Sequence, residues 1–342
     1  GAARPPPGPS ETVEVGVVGA DLAGWCSIAG HRQMGMELAV VVTGAPAPGA
    51  SVTDAAGSAH GHDHMGGMDA GEGSSAADAA RDIDLEAEPG AGFTPWPAAL
   101  APASADTVHR LTLEVTEEEV EVAPGVTQTR WMFGGNAPGP VIRGRIGDRF
   151  EITLVNEGSI GHSIDFHAGA LAPDEPMRTI QPGETLTYTF TATQAGIWMY
   201  HCSTMPMSMH IAGGMYGAVI VDPPDLAPVD REYLLVQGEM YLGAQGGTAD
   251  ADKIAAQTPD LVAFNGYANQ YAYEPLPATV GERVRVWVLD AGPNTASSFH
   301  IVGGQFDTVF AEGAYTLRPD DPGGSQALAL QPAQGGFVEL SF

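Results

Sequence analysis

The sequence predicts an all-β protein that contains two β-sandwiches in tandem. Short segments of alternating apolar and polar residues recur between turn residues, which is typical of sandwich strands. Gly (45) and Pro (27) are abundant, while charged residues make up 16% of the 342 residues, and this composition favours short strands over long helices. The segment 280–286 (VGERVRV) echoes 146–152 (IGDRFEI), which indicates two copies of one domain.

The strand patterns divide the chain into four predicted parts. Residues 1–43 carry strand patterns but are too few for a whole domain, and residues 44–105, rich in Ala, Gly, Ser, Pro and Asp, are interpreted as a flexible linker. One sandwich is predicted over 106–223 and another over 224–342. The strand segments behind this division are 111–116, 150–155, 186–191 and 218–221 in the first sandwich, and 232–237 and 284–289 in the second. Because the chain stops on a strand pattern, we expect the second sandwich to be truncated at its C-terminus.

The charge balance argues against some classes of partner. Acidic residues outnumber basic ones 42 to 14, and the resulting formal charge of −28 repels nucleic acids. A small anionic substrate would need local positive charge, which a bound metal ion can supply. No apolar run in the sequence is long enough to span a bilayer, and no secretory signal opens it.

One short segment carries a metal-ligand pattern. Cys202, His210 and Met215 follow the spacing Cys-x7-His-x4-Met, between two strand patterns. A thiolate, an imidazole and a thioether are three of the four ligands of a blue copper site, where the weak axial Met tunes the redox potential. The missing ligand is a second imidazole, and His162 is the candidate. The two cysteines, Cys26 and Cys202, are accordingly interpreted as separate metal ligands rather than as a disulfide.

Two further histidines predict a second metal site beside the first. Neighbouring side chains on a strand point to opposite faces, so His201 faces away from a metal that Cys202 holds. His162 and His167 are five residues apart, an odd number, and therefore also face opposite ways on an extended segment. Each segment thus offers one ligand to each of two sites, and the covalent link between His201 and Cys202 would be a direct path for an electron.

These motifs resemble the copper-containing nitrite reductase family. The resemblance is carried by HSIDFH at 162–167, YHC at 200–202 and MHIAGGMYG at 209–217, and it covers about residues 107–342. It implies two cupredoxin Greek-key sandwiches in each subunit of a homotrimer. It also implies type 1 copper on His162, Cys202, His210 and Met215, and type 2 copper, where nitrite binds, on His167 and His201.

The same resemblance implies three residues around the substrate. Asp165 and His300 match the residues that deliver protons to nitrite, and a carboxylate and an imidazole are sensible proton donors beside a bound anion. Val302 matches an apolar wall over the substrate. Asp165 could instead orient a ligand imidazole, and His300 could itself be a ligand. The family's type 2 site has a third histidine, which we expect in the natural sequence beyond Phe342.

A second copper-ligand pattern lies near the start of the chain. Cys26, His31 and Met36 follow Cys-x4-His-x4-Met, with Met34 as the alternative axial ligand, and resemble the last loop of a small blue copper protein. Residues 1–43 are therefore interpreted as the C-terminal part of an additional cupredoxin domain that donates electrons to the core. The alternative is a structural strand with an incidental Cys and His. The histidines at 60, 62 and 64 either capture copper weakly or belong to a polar stretch without a role.

The expected partners follow from this interpretation. They are nitrite, a homotrimeric assembly, and an electron donor such as a cupredoxin, a cytochrome c or the tethered N-terminal domain. We expect an extracytoplasmic enzyme, either periplasmic or held on the outer face of a membrane. By the same resemblance, we expect the enzyme to take part in denitrification.

Three other functions stay open at this point. A laccase-like multicopper oxidase reduces oxygen at a trinuclear cluster and needs several His-x-His pairs, yet the only such pairs in the sequence, 60/62 and 62/64, lie in the predicted linker. An electron carrier with type 1 copper alone would leave Asp165, His167 and His201 without a purpose. A family member that acts on another substrate is the third possibility.

Overall fold

The computed structural model describes residues 78–342 and, before them, the backbone of two short strands. These are β1 (Leu22–Trp25) and β2 (Glu37–Val40), which pair in antiparallel register. The chain divides into two units, residues 1–71, which contain this pair, and residues 72–342. The predicted N-terminal ligands and the linker histidines lie outside the described residues: Cys26, His31, Met34, Met36, His60, His62 and His64.

The first sandwich encloses one apolar core between two four-stranded sheets. Its strands are β3 (Val108–Ala123), β4 (Val126–Phe133), β5 (Ile142–Arg145), β6 (Arg149–Asn156), β7 (Asp165–Phe166), β8 (Thr185–Thr191), β9 (Gly196–His201) and β10 (Tyr216–Asp222). The sheets have the orders β4-β3-β6-β8 and β5-β10-β9-β7. Along β6 every second side chain is buried, so Phe150, Ile152 and Leu154 face the core, as the period of two in a strand requires.

The second sandwich has a larger sheet and a smaller one. Its strands are β11 (Arg231–Met240), β12 (Leu261–Phe264), β13 (Arg283–Asp290), β14 (Ser297–Phe299), β15 (Thr308–Ala311), β16 (Ala314–Leu317), β17 (Leu328–Leu330) and β18 (Gly335–Ser341). The sheet β12-β11-β13-β18-β15-β16 and the pair β14-β17 share a core that includes Val288, Phe299 and Leu328.

The repeat seen in the sequence has a structural counterpart. In the first sandwich β3 runs parallel to β6, and in the second β11 runs parallel to β13. The two repeated segments lie at β6 and at β13 respectively. The all-β fold class predicted from the sequence is confirmed.

A third apolar cluster joins the two sandwiches. It contains Ile197 and Ile220 from the first sandwich and Leu234, Trp287 and Phe337 from the second. Strands β10 and β13 are therefore buried on both faces over most of their length, which explains why their sequences are nearly continuous apolar runs. An ion pair crosses the same junction, since Nη1 of Arg143 lies 2.7 Å from Oε2 of Glu232.

Helical structure is confined to short segments. The helices are α1 (Met207–Gly213), α2 (Ala251–Ala256) and α3 (Gln270–Tyr273), and single 3-10 turns cover Ala79–Asp82, His167–Gly169 and Glu175–Met177. Helix α1 ends at Gly214, whose φ of +119° lies in the region that favours glycine. Within the described residues, no helix combines the length and the apolar character that crossing a membrane requires.

The interpretation of residues 44–105 as a flexible linker is wrong for residues 78–105. The backbone N–H of Leu100 donates to the carbonyl of Glu232, and that of Leu234 donates to the carbonyl of Ala98. Ala98 is buried, and Trp96 packs against the core of the second sandwich. The composition of this segment hid these contacts because small residues and prolines can pack along a sheet without strand periodicity.

Candidate metal centres

The first cluster brings together three of the predicted ligands. Nδ1 of His210 lies 3.3 Å from Sγ of Cys202 and 3.2 Å from Nδ1 of His162. The remaining pair, Sγ of Cys202 and Nδ1 of His162, is 3.9 Å apart. All three residues are buried, so their donor atoms converge on one point in the core of the first sandwich.

Three elements hold these side chains in place. Cys202 directly follows β9, His210 lies in α1, and Met215 directly precedes β10. Strands β9 and β10 pair with each other, and the backbone N–H of Cys202 donates to the carbonyl of Met215 at 3.1 Å. His162 lies between β6 and β7, where its backbone exchanges two hydrogen bonds with Ile180. The ligand segment is therefore a closed loop pinned at both ends by a strand pair.

Met215 belongs to the same buried region. Its side chain is fully buried, and its backbone N–H donates to the carbonyl of His210 at 3.0 Å. That bond closes the turn after α1 and fixes Met215 relative to His210. The donor set of two imidazoles, a thiolate and a nearby thioether suits a blue copper ion.

Burial favours the neutral form of both imidazoles of this cluster. It lowers the pKa of His210 to about 4, with a smaller effect from His162, and it also lowers the pKa of His162. Neutral imidazole is the form that binds a metal ion. Nε2 of His162 lies 3.5 Å from Oε1 of Glu117, and the ring of Trp131 packs 4.9 Å from that of His210.

The sulfur of Cys202 has neighbours that sequence reasoning missed. The backbone N–H of Ser163 donates to Sγ at 3.4 Å, and the Ser163 hydroxyl lies 3.8 Å from the same atom. That hydroxyl also meets Ser203 Oγ at 2.9 Å and accepts from the hydroxyl of Thr204 at 3.0 Å. The sequence did carry a signal for these contacts, because Ser163 directly follows the predicted ligand His162 and Ser203 directly follows the predicted ligand Cys202.

The second cluster contains the other two predicted ligands. Nε2 of His167 lies 3.1 Å from Nε2 of His201, and Oδ2 of Asp165 lies 4.0 Å from Nε2 of His201. Nδ1 of His201 lies 3.0 Å from the carbonyl oxygen of Cys202, so Nδ1 carries the proton and Nε2 keeps a free lone pair toward His167. Two imidazoles and a carboxylate in this arrangement form a second group that could hold a metal ion.

Asp165 is held by a residue that the sequence did not single out. The hydroxyl of Tyr188, on β8, donates to Oδ1 of Asp165 at 3.4 Å. Burial and the Asp165 charge raise the pKa of Tyr188 to about 12, so it stays a hydrogen-bond donor at neutral pH. Burial, reinforced by His201, lowers the pKa of His167. No sequence signal distinguished Tyr188 from other strand aromatics.

His300 and Val302 are exposed, and His300 belongs to neither cluster. His300 is exposed at the end of β14, and its Nδ1 donates to the carbonyl of Gln326 at 2.5 Å. Val302 is 91% exposed. Among the described residues, the group around His201 includes Asp165 and His167 but not His300. A single chain therefore does not bring the two predicted proton donors together.

The fold and the first cluster define a copper protein of the cupredoxin class. A family model described as "Multicopper oxidase" matches residues 114–226. The copper-containing nitrite reductase of Alcaligenes xylosoxydans xylosoxydans is 32% identical over 250 residues, which cover 63% of this chain and 75% of that protein. The chain belongs to the copper-containing nitrite reductase family, and the resemblance seen in its motifs is confirmed.

Two further matches are also copper nitrite reductases, and a third is a multicopper oxidase. The copper-containing nitrite reductase of Neisseria gonorrhoeae is 40% identical over 219 residues, and the chain spans 56% of its length. Among solved structures, the copper nitrite reductase from Nitrosomonas europaea has a TM-score of 0.61 at 37% identity, covering 68% of this chain and 84% of that one. A structure described only as a multicopper oxidase has a TM-score of 0.60 at 27% identity, covering 69% and 80%.

Proposed function

We propose that this chain carries out the copper-dependent reduction of nitrite, in which nitrite, one electron and two protons give nitric oxide and water. The observation that supports this most directly is the adjacency of His201 and Cys202. These two neighbours point into different clusters, each with the residue types that hold copper. One peptide unit then connects a site suited to accept an electron with a site suited to use it.

The proposed metal ligands are those of the two clusters. His162, Cys202, His210 and Met215 would hold type 1 copper, and His167 and His201 would hold type 2 copper. The bound copper ions supply one-electron redox chemistry and a positive charge that attracts the anionic substrate. The positive charge matters because the chain carries a formal charge of −28.

Asp165 is the proposed proton donor on the first sandwich. Its Oδ2 faces His201, and its Oδ1 is held by the Tyr188 hydroxyl. Since its carboxyl is half-buried rather than sealed in the core, it can take a proton from water and pass it to a substrate oxygen. Tyr188 limits the rotation of the carboxyl and so directs Oδ2 toward the cluster.

His300 is the proposed second proton donor, and we infer that it acts across a subunit interface. Its Nδ1–H is engaged by the Gln326 carbonyl on an exposed side chain, so Nε2 is the nitrogen that could act on a substrate. The exposed Val302 two residues later would then form the apolar wall over nitrite in the partner's site. A homotrimer would explain why both side chains lie on the surface of one chain.

The electron donor is proposed to be a cupredoxin, a cytochrome c or the N-terminal segment with Cys26, His31 and Met36. Each would deliver electrons to the cluster that contains Cys202. We also propose an extracytoplasmic location, periplasmic or on the outer face of a membrane, because the copper chemistry and the family resemblance favour export.

An oxygen-reducing multicopper oxidase is the second candidate. The multicopper oxidase model over residues 114–226 and the multicopper oxidase among the solved structures favour it. Against it, the sequence from 78 to 342 contains no His-x-His pair, and a trinuclear cluster is built from such pairs. A type 1 electron carrier would not explain the group of Asp165, His167 and His201.

The test is a direct assay of both reactions. The protein in its full natural length, loaded with copper and supplied with a reduced donor, should release nitric oxide from nitrite. A phenol oxidation assay with oxygen should give no comparable turnover. Phenol oxidation without nitric oxide release would overturn the proposal in favour of the oxidase, and a blue protein inactive in both assays would favour the carrier.

A further inference from the structure

A buried arginine lies behind the first cluster. Arg130, on β4, is 1% exposed, and it forms no ion pair with a carboxylate among the described residues. Its Nη1 donates to Oε1 of Gln128 at 2.8 Å and to the carbonyl of Ala212 at 3.4 Å. Its Nη2 is buried without a hydrogen-bond partner. A guanidinium stays protonated in proteins, so this is a buried positive charge that no described anion neutralises.

The neighbours of Arg130 are neutral groups. Besides the amide of Gln128 and the carbonyl of Ala212, the phenol of Tyr216 interacts with the guanidinium. Burial raises the pKa of Tyr216, and the Arg130 charge opposes that rise without reversing it. The nearby carboxylate of Glu239 is occupied elsewhere, because it accepts from the backbone N–H of Asn294 at 2.8 Å and from the Tyr241 hydroxyl.

Arg130 contacts the end of the helix that carries a candidate ligand. The Ala212 carbonyl belongs to the last turn of α1, where a cation is favourable because the free carbonyls point outward. A Cβ at Gly214 would lie 2.9 Å from Nε of Arg130, so only glycine permits this approach. His210 lies two residues before the contacted carbonyl, and Met215 follows Gly214 directly.

Burying an unneutralised charge is costly, and such costs concentrate where a function needs them. We propose that Arg130 is a positioning residue of the first cluster, which holds the C-terminal turn of α1 and favours the reduced state of the copper bound there. This inference rests on copper binding at the first cluster, as the proposed function does. The sign follows from Coulomb's law, because a nearby positive charge disfavours the oxidation state with the larger positive charge.

The experiment measures the reduction potential of the copper-loaded protein by redox titration of its blue absorption, which needs no nitrite. Arg130→Met removes the charge, and Arg130→Gln removes it while keeping amide donors, so the second variant carries the test if the first does not fold. At a fixed donor potential, both variants should show an about tenfold lower ratio of reduced to oxidised copper. For a one-electron couple this corresponds to a reduction potential lower by about 59 mV. Burial lowers the pKa of a lysine, so Arg130→Lys is measured at a pH at which the ammonium keeps its proton, and there it should restore most of the potential.

The matched control is Arg110→Met, which removes a charge from an exposed site on β3. Potentials of Arg130→Met and Arg130→Gln equal to that of the control would overturn the inference. At that pH, an Arg130→Lys potential as low as that of Arg130→Met would overturn the claim that the Arg130 charge favours reduced copper. A wild-type chain that forms no blue centre would sink this inference together with the copper site, whereas a blue protein without nitrite turnover would contradict the proposed reaction alone.

Discussion

The backbone N–H of Ser163 points at the sulfur of Cys202 across 3.4 Å, and the Ser163 hydroxyl lies 3.8 Å from the same sulfur. That hydroxyl accepts from the backbone N–H of Ser203 at 3.1 Å and from Thr204 Oγ1 at 3.0 Å. With its lone pairs engaged, its own proton is directed toward Ser203 Oγ or Sγ of Cys202. Hydrogen bonds to a copper-bound thiolate tune the redox potential of such a site.

Ser163→Ala should therefore lower the reduction potential of the first centre. The variant removes the hydroxyl and keeps the backbone N–H, so the thiolate loses one of its two nearby donors and becomes a stronger ligand for oxidised copper. Redox titration and the position of the blue absorption band measure the effect. Ser298→Ala, an exposed serine on β14, is the control, and a potential identical in the two variants would contradict the role of the hydroxyl.

His300→Ala should abolish most nitrite turnover while leaving the blue colour intact. General acid catalysis typically contributes about 10²- to 10⁴-fold, and the loss should fall in that range. Nitric oxide release and the blue absorption are recorded on the same sample. Loss of the blue band would contradict the assignment of the first centre to residues other than His300, and Cys202→Ala, which should lose the band, provides the comparison.

Asp165→Asn should slow nitrite turnover to a similar extent without loss of copper from either cluster. Asparagine keeps an oxygen that can accept from Tyr188, but it cannot transfer a proton. Copper content and nitric oxide release are the measurements. Tyr188→Phe, which keeps the carboxyl and removes only its holder, should cost less. Copper loss from Asp165→Asn would instead mark Asp165 as a residue that orients a ligand.

Gly214→Ala should destabilise the protein by about 1–3 kcal/mol in the free energy of unfolding. Its φ is +119°, and a Cβ there would meet Arg130 Nε and the Trp131 carbonyl oxygen, each at 2.9 Å. Gly147→Ala separates strain from crowding, because Gly147 has a φ of +93° with nothing near its Cβ position. Chemical denaturation measures both variants. If Gly214→Ala and Gly147→Ala lose the same free energy of unfolding, the close contact with Arg130 contributes nothing to the cost.

Asp290 should make the protein less stable as the pH rises from about 4 to about 7. Burial, assisted by Glu239, raises its pKa from 3.8 to about 7, and its Oδ2 has no hydrogen-bond partner. The folded state then binds more protons than the unfolded state in this range, so stability is highest below pH 4 for this group and is lost up to pH 7. At about 1.4 kcal/mol for each pKa unit, the change from 3.8 to about 7 makes this loss on the order of 4 kcal/mol.

Asp290→Asn removes this titration. Between pH 4 and pH 7, the free energy of unfolding of the variant should therefore fall much less than that of the wild type. Chemical denaturation between pH 4 and pH 8 measures the difference. Asp225→Asn, at an exposed position, should leave the wild-type slope unchanged. An unchanged slope in Asp290→Asn would mean that the carboxyl is ionised in the folded protein.

Much of the site was accessible from sequence because it depends on local spacing. The pair His201 and Cys202 is adjacent in the chain, and strand geometry sends adjacent side chains to opposite faces. His162 and His167 follow the same rule, and the structure places one of each pair in each cluster. The linker interpretation failed over 78–105, since those residues are ordered by contacts with a sheet more than a hundred residues away.

The alternating patterns, the repeat at 146–152 and 280–286 and the ligand spacings were enough to predict the all-β fold and the His and Cys residues of both clusters, whereas Asp165 came from the family resemblance. Periodicity and ligand spacing depend on residues that are close together in the sequence, so they can be read from the sequence without the fold. The partners of those residues could be identified only in the folded structure. They are Ser163 beside the Cys202 sulfur, Tyr188 as a donor to Asp165, and Arg130 as a donor to the last turn of α1. These contacts join segments from different strands, and their effect depends on burial, which raises or lowers the free energy of a charge according to what surrounds it.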